Sequence, residues 1–90
     1  MAHVSRNKKK LLARVRRIEG QVVALGKALG ADTDCVDVLV QIAAVRGAVH
    51  GLMMEVLNDH LDAHVVAEPD AQLRAREMEI VARLLRAYAK

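Results

Sequence analysis

The sequence predicts an all-α protein: a three-helix protomer with a long central helix. The apolar half of the composition is Ala, Val, Leu, Ile and Met, with Tyr88 as the single aromatic residue, which suits interlocking helices better than a β-sandwich. Apolar residues recur at helical spacing in three segments, separated near Gly30 and Pro69. At 90 residues the chain has room for one small domain, so we predict a single helical domain over residues 1–90.

The first helix is predicted over about residues 5–29. Its apolar residues alternate strictly four and three apart, as in the seam of an amphipathic or coiled-coil helix. Ser5 is the expected N-cap, and Gly30 fits the C′ position that ends a helix. The residues of the seam are Leu11, Val15, Ile18, Val22, Leu25 and Leu29.

The second helix is predicted from about Cys35 to Val66 or Ala67, with Asp32 or Thr33 as its cap. Its apolar residues fall on more than one stripe, so it must be covered on two sides. The first helix can supply one cover and a partner subunit the other. A third, amphipathic helix should have Pro69 in its first turn, with Asp70 near its positive end, and end near Tyr88.

Positive charge is concentrated at the start of the chain. The net charge is +3, but the first 17 residues hold seven Lys or Arg and no acid, so the other 73 are net negative. This asymmetry favours an anionic partner, above all double-stranded DNA, over a merely solvated basic helix start. Helices this long do not fit a helix-turn-helix, so phosphate contacts and shape recognition are expected. The predicted DNA-binding residues are Lys10, Arg14, Arg16, Arg17 and Arg46.

Cys35, His60 and His64 form the candidate ligand site. The two histidines are four residues apart, so on a helix they lie on one face and can bind one metal ion together. Cys35 precedes His60 by 25 residues, about 37 Å of continuous helix, so one subunit cannot bring them together. A second, antiparallel copy could, which predicts a homo-oligomer. One thiolate and two imidazoles suit Ni, Co, Zn or Cu.

The N-terminus offers further donors. Removal of Met1 before the small Ala2 would leave a free amine beside His3, and both could complete a metal site. Cys35 could instead be a reactive thiol, although three acidic residues, Asp32, Asp34 and Asp37, are close to it in the sequence and disfavour a nucleophilic thiolate. We treat His50 as structural or packing-related. No catalytic arrangement of Ser, His and Asp and no phosphate-binding glycine loop is present, so we expect no enzyme.

The chain is expected to be cytoplasmic and without a membrane partner. No apolar run approaches the ~18 residues that span a bilayer, and the N-terminus is charged rather than signal-like. The single cysteine excludes an intrachain disulfide.

Two segments closely resemble the CsoR/RcnR family of bacterial metal- and formaldehyde-responsive repressors: residues 14–21 (RVRRIEGQ) and 41–53 (QIAAVRGAVHGLM). The likeness covers nearly the whole chain, including the RAYAK ending at residues 86–90. It implies an antiparallel dimer that assembles into a dimer-of-dimers tetramer. It also implies operator binding without a helix-turn-helix and release when a ligand binds between subunits.

The branches of this family differ in their ligand residues. The nickel/cobalt branch has a pattern that His3, Cys35, His60 and His64 match one by one. The copper branch has a second cysteine where this chain has His64. The formaldehyde branch uses an N-terminal Pro amine and the cysteine, whereas this chain has Ala2, and it usually carries an acid at the position of His64.

The resulting hypothesis is a repressor released from operator DNA by Ni(II) or Co(II), with Zn(II) as a further candidate metal. The alternatives are a formaldehyde-responsive repressor that uses Cys35 and the Ala2 amine, or a helical oligomer with a structural zinc site and no regulatory role.

Overall fold

The computed structural model describes residues 7–88, which form three α-helices and one π-helical turn and contain no strand. The helices are α1, Lys8–Gly30; α2, Cys35–Leu61; and α3, Ala71–Tyr88, and the π-helical turn, Asp62–Val66, follows α2 directly. This is the all-α, three-helix protomer with the longest helix in the middle that the sequence predicts. The chain divides into two compact units, and α2 contributes to both. The single domain over residues 1–90 stays a prediction.

The first unit, residues 7–55, is a helical hairpin, which we call the hairpin unit. Near the start of α1, Arg14 contacts Glu55 and Gly51 of α2, and later residues of α1 meet earlier residues of α2. The two helices are therefore antiparallel. Leu11 is the one buried apolar residue of this unit among those described.

The boundaries of the hairpin helices differ from the sequence prediction at three caps. α1 begins at Lys8 with Asn7 before it, so Ser5, which lies outside the described residues, is not the N-cap. Gly30 is the last helical residue and has no positive φ; the helix ends when Ala31 becomes extended, at φ −104° and ψ 173°. α2 begins at Cys35, so the residue before the helix is Asp34 rather than Asp32 or Thr33. The backbone carbonyl of Asp34 accepts the Val38 N–H at 3.1 Å.

The second unit contains the end of α2, the π-helical turn and α3; its described residues are 56–88, and we call it the C-terminal unit. Its buried side chains are Leu57 and Asp59 on α2 and Val81 on α3. In the π-helical turn the Ala67 N–H donates to the Asp62 carbonyl at 3.0 Å, five residues back, and this wider turn ends α2.

A short, well-bonded connection leads from the π-helical turn to α3. The Asp70 carboxylate accepts the N–H groups of Gln72, at 2.8 Å, and Leu73, at 3.4 Å, so Asp70 is the N-cap and Pro69 lies before the helix instead of in its first turn. Arg74 donates to the carbonyl of Glu68 at 2.7 Å and that of Pro69 at 3.1 Å. These bonds fix the start of α3 to the connection that follows the π-helical turn.

The described protomer leaves much apolar surface exposed. Val23 is 58% exposed on α1, and Val40 is 62% exposed on α2. A groove of about 410 Å³ runs between the two helices of the hairpin unit. It is lined by Val15, Ile18, Glu19, Val22, Val23, Val49 and Leu52. Apolar surface on this scale marks an interaction site in a water-soluble protein.

The segment Cys35–Val66 is long and apolar enough, by length and composition alone, to cross a membrane, with a mean hydropathy of 1.4 over an 18-residue window within it. The expectation that no stretch approaches this limit was wrong, because a few charged residues within α2 do not offset its Val, Leu, Ile and Met content. One such helix is weak evidence for a membrane span, since a helix covered by other protein has the same composition.

Candidate functional site

The basic residues singled out in the sequence lie in the hairpin unit. Four of the five are exposed to solvent, and the fifth, Arg14, is half-buried. They occupy the first half of α1 and, for Arg46, the middle of α2. The residues are Lys10, Arg14, Arg16, Arg17 and Arg46.

Glu55 of α2 binds two of these cations. Its Oε1 lies 2.9 Å from Nε of Arg14, and its Oε2 lies 3.4 Å from Nζ of Lys10. The Glu55 side chain is only 15% exposed, whereas that of Lys10 is 67% exposed. The Lys10 contact lacks hydrogen-bond geometry, so Oε2 is a buried oxygen without a hydrogen-bond donor among the described residues. Arg14 is therefore the closer partner of this carboxylate.

Sequence reasoning missed Glu55, although a signal was available. Between Val38 and Asn58 it is the only acid in a mostly apolar stretch of α2. An acid in such a stretch needs a cation opposite it, because burying an unpaired carboxylate is costly. Lys10, Arg14 and Arg17 follow one another at intervals of four and three residues on α1, so they share one face of that helix and offered such a cation.

The two histidines of the candidate ligand site lie in the C-terminal unit, as their spacing predicts. His60 is in the last turn of α2 and His64 in the π-helical turn, and their ring centroids are 4.5 Å apart with the planes tilted by 33°. Both residues are half-buried. Two imidazoles at this separation, on one side of the chain, can bind the same small ligand.

Glu77 of α3 orients one of these rings. His60 Nε2 donates a hydrogen bond to Glu77 Oε1 at 2.7 Å, with both side chains about one quarter exposed. A carboxylate that accepts from one ring nitrogen fixes the tautomer and orientation of a histidine ligand. Sequence reasoning missed Glu77, because nothing in the composition of α3 distinguishes it from Glu79; the turn before α3 decides which one faces His60.

The other candidate ligands are not brought to this pair within the described residues. Cys35 is a free, exposed thiol at the first residue of α2, in the hairpin unit. His3 and the Ala2 amine lie outside the described residues. Among residues 7–88, no three His, Cys, Asp or Glu side chains are close enough to hold one metal ion. The ligand set and its division between two subunits stay predictions.

His50 is exposed on α2. The interpretation of this residue as a packing residue is therefore not supported within the protomer.

Comparisons with known proteins agree with these features. Residues 7–90 match the family described as metal-sensitive transcriptional repressor. The chain is 48% identical to the transcriptional repressor RcnR of Citrobacter koseri and 46% identical to that of Salmonella paratyphi B, each over 90 residues and the full length of both chains.

A solved structure is also similar to this chain. It is a glutamate-to-histidine variant of the formaldehyde-responsive regulator FrmR from Salmonella enterica serovar Typhimurium. The TM-score is 0.82 and the identity 49%, covering 92% of this chain and 94% of the other. These relatives are repressors and regulators, which agrees with the expectation of a non-enzymatic protein with DNA as its partner. The chain therefore belongs to the family of metal-sensitive transcriptional repressors.

Proposed function

We propose that this protein represses transcription by binding operator DNA in the cytoplasm and releases it when Ni(II) or Co(II) binds. The metal ligands would be Cys35 of one subunit and His60 and His64 of another, with His3 and the N-terminal amine completing the set. The observation that carries the proposal is the His60–His64 pair, with ring centroids 4.5 Å apart. Relatives named transcriptional repressor RcnR, at 48% identity, support the repressor role. The choice of nickel or cobalt is supported by the match of His3, Cys35, His60 and His64 to the pattern of that branch.

The donor set fits a borderline transition metal. Imidazole nitrogens and one thiolate are ligands that Ni(II), Co(II) and Zn(II) accept, and a bound divalent cation would add positive charge to the site. Glu77 accepts a hydrogen bond from Nε2 of His60, so a metal would bind this ring through Nδ1. Cys35 is exposed and has a free thiol, as an intersubunit ligand requires.

A second copy of the chain is part of this proposal. Antiparallel pairing would cover the apolar groove of the hairpin unit and bring Cys35 towards the histidines of a partner. The exposed Val23 and Val40 support such pairing, because side chains of this kind gain most from being covered by protein. Pairing of dimers into a tetramer follows from the family and is proposed in the same way.

DNA binding is assigned to Lys10, Arg14, Arg16, Arg17 and Arg46. These side chains can contact phosphates, and affinity should therefore fall steeply with salt. Release requires that the ligand bind the DNA-incompetent arrangement of the oligomer more tightly than the DNA-competent one.

A second candidate ligand is formaldehyde, because the similar solved structure is a formaldehyde-responsive regulator. In that case Cys35 and the Ala2 amine would react with the aldehyde, and His64 would not be needed. The third candidate is a helical oligomer with a structural zinc site, which the family membership does not favour.

One experiment separates the three. A DNA duplex is selected by the wild-type protein from a random-sequence pool, and its binding is measured with Ni(II), Co(II), Zn(II), Cu(I) or formaldehyde added. We expect release by Ni(II) or Co(II). Release by formaldehyde and by no metal would overturn the metal assignment, and failure to select any DNA would favour the structural-zinc reading.

A further inference from the structure

The contact between Arg14 and α2 carries a consequence for DNA binding, and it rests on the proposed function. Arg14 Nε lies 2.9 Å from Glu55 Oε1, and a Cβ placed on Gly51 would lie 3.0 Å from Arg14 Nη1. Gly51 and Glu55 are four residues apart, so they are neighbours on one face of α2. The Arg14 guanidinium thus lies against the backbone at Gly51, which has no side chain, and contacts the Glu55 carboxylate one helical turn further along α2. We call Gly51 and Glu55 the arginine seat.

The arginine seat places Arg14 at the wall of a small polar cleft. The cleft has a volume of about 210 Å³ and lies between α1 and α2 of the hairpin unit. It is lined by Arg14, Arg17, Ile18, Gln21 and Ala48. The Nε contact with Glu55 uses one of the five N–H donors of the guanidinium, and the other four are on the two Nη atoms.

Gln21 gives the cleft a second polar wall. Its amide oxygen is buried and has no hydrogen-bond partner among the described residues. A buried polar group without a protein partner is uncommon, and a bound water or ion is one of its explanations. The amide nitrogen of the same side chain carries two N–H donors, from which a phosphate oxygen beside Arg14 and Arg17 can accept.

We infer that Glu55 is a positioning residue for DNA binding: together with Gly51 it fixes Arg14 at a cleft that accepts one backbone phosphate between Arg14, Arg17 and Gln21. The ligand class is a phosphodiester oxyanion, which matches a planar guanidinium that can donate two parallel hydrogen bonds.

The burial of Glu55 indicates whether this acid positions Arg14 for DNA or competes with DNA phosphates for it. If Arg14 and Lys10 left Glu55 for a phosphate, a carboxylate that is 15% exposed would be left without a cation. Breaking a sheltered pair by removing one partner is more costly than forming it is favourable. Arg14 therefore keeps its bond to Glu55 while it contacts DNA, and the acid assists DNA binding although its charge opposes it.

The test uses the full-length protein and a duplex selected by the wild type from a random-sequence pool. Glu55→Gln is expected to weaken binding about tenfold, equivalent to 1.4 kcal/mol. Gly51→Ala changes no charge and favours the helix, yet it should also weaken binding, by roughly threefold or more, because the added methyl meets Arg14. Gly47→Ala is the matched control, since it is one turn away with nothing within 4 Å, and it should bind as the wild type does.

Two measurements distinguish positioning from a general loss of structure. In an Arg14→Ala background, Glu55→Gln should cause no further loss, because both changes remove the same contact. The slope of log affinity against log salt should fall by about one phosphate in Glu55→Gln. Helix content and oligomer mass should stay at the wild-type values; if Glu55→Gln does not fold, Gly51→Ala decides.

Three outcomes would overturn the inference. Tighter binding by Glu55→Gln would show that the acid competes with DNA. An equal loss from Glu55→Gln with and without Arg14 would show that it acts elsewhere. Equal DNA affinities of Gly51→Ala and Gly47→Ala would show that the contact of Arg14 with Gly51 plays no part in DNA binding. If the wild type selects no DNA at all, the proposed function itself is wrong, a result distinct from these three.

Discussion

His60 and Glu77 are joined across the C-terminal unit by a hydrogen bond of 2.7 Å between Nε2 and Oε1. His60 ends α2 and Glu77 is on α3, so this bond links the candidate ligand site to the last helix. It also fixes the orientation of the ring whose neighbour, His64, lies 4.5 Å away. A ligand that binds His60 therefore meets an imidazole that α3 has already oriented through its hydrogen bond to Glu77.

The first prediction concerns Glu77. Glu77→Ala should weaken Ni(II) binding by about 10- to 100-fold, because the loss of a carboxylate partner leaves a ligating histidine less basic and less well oriented. The measurement is a competition titration with a chelator of known affinity. Glu79→Ala is the matched control, since Glu79 is two residues away, exposed, and paired with Arg83 on its own helix.

DNA binding in the absence of metal should be unchanged in both variants, because the predicted DNA contacts lie in the hairpin unit. Equal nickel affinities of Glu77→Ala and Glu79→Ala would contradict a supporting role for Glu77.

The second prediction concerns His64. His64→Ala should abolish release of DNA by Ni(II) or Co(II), since it removes one of two imidazoles that lie within reach of a common ion. A response to formaldehyde, where present, should survive, because it would use Cys35 and the N-terminal amine. The readout is fluorescence anisotropy of a labelled duplex with each ligand added. His50→Ala is the control, because His50 is an exposed histidine on the same helix as His60.

A His64→Ala protein that still releases DNA with Ni(II) at the wild-type concentration would exclude His64 from the metal site. A parallel loss in His50→Ala would point to a general effect of histidine removal.

The third prediction concerns oligomer formation. Val23→Glu places a charge on an apolar surface where the valine is 58% exposed, so the fold of the protomer should tolerate it while association is weakened. Sedimentation velocity should show a smaller species than the wild type at the same concentration. Gln72→Glu adds the same charge at an exposed position of α3 and should keep the wild-type mass. Equal masses for the two variants would place the subunit interface elsewhere.

Helical spacing predicted the fold well because each helix carries its own periodic signal. The order and number of helices follow from apolar spacing, and the His60–His64 pair follows from a separation of four residues. The caps were less predictable. Asn7 precedes α1, and both it and Ser5 are residue types favoured at an N-cap, so the sequence alone does not decide between them.

The supporting acids could not be placed from sequence with equal certainty. Contacts of Glu55 and Glu77 join residues 41 and 17 positions away, respectively, so they depend on how two helices pack. Glu55 had a local signal, an acid in an apolar stretch, but Glu77 had none. The wide turn at Asp62–Val66 sets the register of α3, and apolar periodicity does not report a π-helical turn.

The fourth prediction concerns the cap of α3. Asp70→Ala should lower the free energy of unfolding by about 1 kcal/mol, because the carboxylate satisfies two N–H groups that the helix cannot bond internally. Urea denaturation at one fixed protein concentration measures this, since unfolding of an oligomer depends on concentration. Asp70→Asn retains an acceptor and should lose only part of this stability. Asp32→Ala removes an exposed acid from the loop before α2 and should leave stability within about 0.5 kcal/mol of the wild type.

Because α3 carries Glu77, we also expect weaker nickel binding in Asp70→Ala than in Asp32→Ala. Equal nickel affinities of the two variants would mean that the cap stabilises the helix without affecting the ligand site.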